Sequence, residues 1–90
     1  MKVIYRVTVN CTVDGVGKYR GFEIKRWDVA KIMFLNFVKE AKDCFAKRFG
    51  TDGVSSFSVG GESGMSFDIR AIDCPMSNNA KILLKEVEMK

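Results

Sequence analysis

Lys2-Val3-Ile4-Tyr5-Arg6-Val7-Thr8-Val9-Asn10-Cys11-Thr12-Val13-Asp14-Gly15-Val16-Gly17 is the stretch on which the fold turns. Val3, Tyr5, Val7, Val9, Cys11 and Val13 alternate with Lys2, Arg6, Thr8, Asn10 and Thr12, the period-two pattern of a strand with one buried face. Asp14-Gly15 then supplies hairpin turn chemistry, because both residue types tolerate positive φ. The returning segment carries Phe22 and Ile24. A loop of two or four residues places these two on the face of the odd-numbered valines, whereas a three-residue loop turns them to solvent. The pattern selects an even loop, and a β-hairpin opens the chain.

From Val29 to Phe49 the apolar residues Ala30, Met33, Phe34, Phe37, Val38, Ala41, Cys44 and Phe45 recur at steps of three and four, the spacing of one helix face. Asp28 is the expected N-cap. Lys47 and Arg48 complement the C-terminal dipole, and Gly50 is the expected stop. About twenty residues at 1.5 Å each give roughly 30 Å, enough to cross a small sheet.

Residues 50–66 are rich in Gly and Ser, and Ser55, Phe57 and Val59 precede a second alternation of Met65, Phe67, Ile69 and Ala71. This reads as a second hairpin with Gly60-Gly61-Glu62-Ser63-Gly64 at its tip. After Cys74-Pro75 the local pattern serves two structures. Ala80, Leu83, Leu84 and Val87 fit a helical face, while Val87 and Met89 against Glu86, Glu88 and Lys90 fit an edge strand. The helical reading of residues 78–90 is taken. The expected fold is α+β, a single antiparallel sheet with one long helix on one face, in the order ββαββα, or ββαβββ if the C-terminus is a strand. Ninety residues, 47% of them hydrophobic, suffice for one core, so residues 1–90 are expected to form a single domain.

The expected solvent face of the sheet carries Arg6, Thr8, Asn10, Tyr19, Glu23 and Lys25 from the first hairpin. Ser56, Ser58, Asp68 and Arg70 join them from the second. Net charge is +4 and unevenly spread: residues 1–48 hold eleven Lys/Arg against five Asp/Glu, and residues 49–90 hold four against six. The excess gathers in Lys18-Tyr19-Arg20-Gly21-Phe22-Glu23-Ile24-Lys25-Arg26-Trp27, where four cations and three aromatics share ten residues. Cations meet phosphates and aromatics stack on bases, so Lys18, Tyr19, Arg20, Lys25, Arg26 and Trp27 are the expected partner-binding residues. Lys18 and Arg20 fall on the core-facing parity, which obliges their long side chains to snorkel past the helix.

Histidine is absent, which removes every Ser/His or Cys/His pair and every His-ligated metal. Cys11 and Cys44 fall on apolar faces and are expected in the core; Cys74 is the more accessible thiol. Asp52, Glu62, Asp68 and Asp73 have no spacing that requires a cation, and the glycines at 60, 61 and 64 run into a strand rather than a helix, unlike a phosphate-binding loop. No catalytic residue, metal or cofactor is expected. Three unpaired cysteines and no apolar signal segment at the start suggest a cytoplasmic protein, with no span long enough for a membrane.

Arg20-Gly21-Phe22 resembles the opening of the RNP1 signature of the RNA-recognition motif, which continues with a small residue, an aromatic and a valine. Here Glu23-Ile24-Lys25 follow, and on the expected solvent face only Tyr19 offers a stacking platform. In size and build alone the chain looks like small phage-encoded inhibitors such as anti-CRISPR proteins, a resemblance without a shared motif that implies a host protein or nucleoprotein as partner. The expectation is a small non-enzymatic binding protein that docks on and blocks such a complex. The alternative is a sequence-independent nucleic-acid-binding domain using a basic strand edge. An uncovered edge strand also leaves room for a homodimer.

Overall fold

The computed structural model of the chain describes residues 2–61 and 64–89. Five strands, β1 (Lys2–Val13), β2 (Val16–Ile24), β3 (Val54–Gly60), β4 (Gly64–Ala71) and β5 (Asn79–Met89), accompany one helix, α1 (Trp27–Phe49). They form one antiparallel sheet in the order β2-β1-β5-β4-β3, with α1 on one face. The α+β class and the order ββαβββ are thus observed. The tip residues Glu62 and Ser63 lie outside the described residues.

The expected C-terminal helix is a strand, and it is the middle one. β5 pairs with β1 from Lys2↔Met89 to Thr12↔Asn79 and with β4 from Gly64↔Lys85 to Arg70↔Asn79. Ala80, Ile82 and Leu84 face the helix and are at most 2% exposed, a period-two row that fits between two hairpins. Leu83 also fits a helical face, so local spacing cannot separate the two structures; the long-range partners decide. The two hairpins are therefore not hydrogen-bonded to each other as strands; β5 lies between them.

The first hairpin turns through two residues, Asp14 (φ 52°) and Gly15 (φ 80°), with Val13 opposite Val16. The even loop sets Val7 opposite Phe22 and Tyr5 opposite Ile24, as the pattern requires. Asn78, 6% exposed, clasps this turn: its Oδ1 accepts from the Asp14 N–H at 3.0 Å, while the Gly15 N–H donates to the Ser77 carbonyl at 3.0 Å. Arg48 at the end of α1 pairs with Asp14, tying the helix C-terminus to the same turn.

The helix begins two residues before Val29, with Arg26 at the N-cap position and no side-chain cap. Asp28, expected as the cap, lies inside the first turn, where it suits the helix dipole and pairs with Arg26 at 2.8 Å. Gly50 ends the helix at φ 79°, its N–H donating to the Ala46 carbonyl. Ala30, Phe34 and Phe45 of α1 are buried against Val7, Val9, Phe67, Ile69, Ala80, Ile82 and Leu84. Burying the Phe, Val, Ile and Leu side chains of this set contributes roughly 1.5–3 kcal/mol each. The core lies between α1 and the three middle strands, and both edge strands extend beyond the helix.

Candidate functional site

Register decides which residues share the open face. Val7 is buried under the helix, so Lys2, Ile4, Arg6, Thr8, Asn10 and Thr12 of β1 point away from it. Pairing carries that face to Tyr19 and Glu23 of β2, to Lys81, Leu83 and Lys85 of β5, and to Ser66, Asp68 and Arg70 of β4. Its charged groups are Lys2, Arg6, Arg70, Lys81 and Lys85 against Glu23 and Asp68.

Arg6 lies directly opposite Lys85. Like charges so placed destabilise a sheet. Arg6 has Glu23 on its other side at 3.8 Å. Lys85 has Gly64 on its other side and no described carboxylate within salt-bridge reach. Lys85 therefore stands on the open face beside a cation and without a counter-charge among the described residues.

The second hairpin differs from expectation in facing. Ser56 pairs with Ile69 and Ser58 with Phe67, so both serines lie on the helix side, and Phe57 and Val59 lie on the open face. The reason is position: β3 is an edge strand outside the cover of α1, so its helix-side residues stay exposed and need no apolar side chain. Phe57 is 66% exposed and Tyr19 63%. One cross-strand row runs Phe57, Asp68, Lys81, Asn10, Tyr19, with an aromatic at each end. Four strand spacings separate the two rings, about 19 Å. Gly21 makes room for the Tyr19 ring, since a Cβ there would meet the Tyr19 hydroxyl at 3.1 Å.

The six expected partner-binding residues do not converge. Tyr19 is on the open face, whereas Lys18 and Arg20 extend on the helix side, where Arg20 lies 4.9 Å over the Phe37 ring and 3.7 Å from Glu40. Lys18 lies near the start of β2 and Lys25 just past its end, roughly 24 Å apart at 3.4 Å per residue. Arg26 is engaged by Asp28. Trp27 is half-buried, its ring edge-on to Tyr5 at 5.4 Å, and anchors the helix start. Lys81 and Lys85 were hidden from the sequence by the helical reading of their segment; the alternation Lys81-Ile82-Leu83-Leu84-Lys85 was the available signal.

The thiols are dispersed. Cys11 is half-buried and lines a cleft of about 90 Å³ with Cys44, Arg20 and Phe37. Burial pushes the Cys11 thiol above its ordinary value of 9.0, and neighbouring Cys44 adds to the rise. Cys44, expected in the core, is exposed because it sits on the flank of α1 facing the edge of the sheet; Cys74 is exposed as well. Among the described residues no group of three Cys, Asp or Glu gathers as for a metal ion, and no helix is long and apolar enough to cross a membrane. The chain matches no protein-family description, no curated protein and no solved structure.

Proposed function

We propose that this chain is a non-enzymatic binding module that docks on nucleic-acid phosphates, free or within a nucleoprotein complex, through the open face of its sheet. The observation that carries the reading is the charge on that face: five cations against two carboxylates, with Arg6 opposite Lys85. Ion pairs engage the arginines on both sides, Arg6 with Glu23 on the open face and Arg20 with Glu40, Arg26 with Asp28 and Arg48 with Asp14 elsewhere, so the reading rests on Lys81, Lys85, Lys2 and Arg70 of the open face. Tyr19 and Phe57 at the two ends of the central row supply stacking surfaces for unpaired bases, which favours single strands. Blocking of a host complex follows from the same chemistry when the phosphates belong to that complex.

Fluorescence anisotropy with labelled single- and double-stranded DNA and RNA, at low and near-physiological salt, tests the reading. Tighter binding of single strands, weakening steeply with salt, is the expected result. No binding at low salt would sink it and turn the same cations toward an acidic protein surface, where nuclease-treated pull-down would recover a stoichiometric partner.

A further inference from the structure

The two edges of the sheet are unequal. β2 carries Lys18 and Arg20, whereas β3, Val54-Ser55-Ser56-Phe57-Ser58-Val59-Gly60, has no charged residue, no proline and two exposed apolar side chains. Uncharged, uncovered edges of this kind attract another strand, and proteins that stay single usually block them with Lys, Pro or a bulge. We propose that β3 pairs antiparallel with β3 of a second copy, joining two sheets into one of ten strands. The inference does not rest on the nucleic-acid reading, and it gives Phe57 a second use, packing against its mate at the seam of the joined open faces.

The backbone supports one register. The Gly61 N–H donates to the Gly64 carbonyl, so by the alternation of antiparallel ladders Val59, Phe57 and Ser55 bond toward β4. The N–H and C=O groups of Ser56 and Ser58 then point away from the sheet. Overlap of all seven residues sets Ser56 opposite Ser58 of the second copy, each free group meeting its complement. Phe57 then falls on the two-fold axis opposite itself, in the closer, non-hydrogen-bonded type of site, where an aromatic pair is favourable.

Full overlap of β2 with itself gives the opposite outcome, since the midpoint of Val16–Ile24 is Arg20 and the axis would press two guanidinium groups together. The β3 edge also borders a cleft of about 210 Å³ lined by Phe34, Leu35, Val38 and Met65 together with Lys42 and Ser58, with Leu35 47% exposed. A second copy at this edge thus covers apolar surface on both sides of the strand. The two-fold axis is perpendicular to the sheet, so both helices stay on one side and both open faces on the other.

Sedimentation velocity over about 1 µM to about 1 mM, the range in which small interfaces dissociate, tests the inference. The chain of 10.1 kDa should shift toward twice that mass, and Ser58→Pro, which removes an outward N–H from an edge strand where proline is otherwise tolerated, should return it to the monomer. Phe57→Cys, with Cys11, Cys44 and Cys74 replaced by serine, should oxidise to a covalent dimer, because facing non-hydrogen-bonded positions lie within disulfide reach. Tyr19→Cys in the same background should not. A monomer across the whole range would overturn the inference. So would a dimer that Ser58→Pro leaves intact and Phe57→Cys does not cross-link.

Discussion

Replacing Lys81 and Lys85 together by glutamine should change the salt dependence of nucleic-acid binding by a calculable amount. Lys2, Arg6, Arg70, Lys81 and Lys85 share one face. If each neutralises one phosphate, the logarithm of single-strand affinity falls with the logarithm of salt at a slope of about −0.7 per contact, or about −3.5 in total. Removing two contacts leaves about −2.1. Between 50 and 200 mM salt, wild-type affinity should drop about 130-fold and that of the double variant about 18-fold. Both side chains are exposed, so circular dichroism and melting should barely move. Lys42→Gln with Lys47→Gln, on the helix, is the matched control and should keep the full slope. The assay is anisotropy titration of a labelled oligonucleotide at four or more salt concentrations. An unchanged slope in the Lys81/Lys85 variant, or an equal loss in the helix control, would refute the assignment of the open face.

Ile82→Ala, at a site with no solvent exposure between Val9 and Phe67, should destabilise by about 2–5 kcal/mol and lower the melting temperature by at least about 10 °C in a calorimetric scan. A small change would mean that β5 is not central. Asn78→Ala strands the Asp14 N–H and should cost about 1–3 kcal/mol in urea unfolding, more than Asn79→Ala, whose amide is exposed. Because burial raises the Cys11 pKa, its contribution to stability is complete below the unfolded value near 9.0 and is lost as pH rises through the folded value. Unfolding titrations from pH 8 to 11 should show a decline above about pH 9 that Cys11→Ala reduces; identical profiles would argue against the buried thiol.

What could be read in advance depended on how local its cause is. The first hairpin was legible because Asp14-Gly15 and the valine alternation fix turn and register within twenty residues, and α1 because its apolar spacing continues for six turns. The facing of Phe57 was not, since an edge strand outside the helix's cover reverses the usual link between apolar residue and inward side. Nor was the placement of Lys81 and Lys85 on the open face, because both readings of residues 78–90 satisfy the local pattern and only pairing with β1, some seventy residues away, and with β4 chooses between them. The basic segment of residues 18–27 was correctly seen as cationic, yet β2 divides its side chains between two faces, a division that composition does not reveal.

The central place of β5 governs how the molecule is assembled. Neither hairpin covers its apolar side alone: α1 lies across both, and β5 is the strand that hydrogen-bonds one to the other. Contacts such as Tyr5 with Glu86 enclose almost the entire chain, so the entropy of closing that loop falls at the very step on which cooperativity depends. A molecule in which β5 is undocked leaves the apolar sides of both hairpins and of α1 open to proteases and to neighbouring chains.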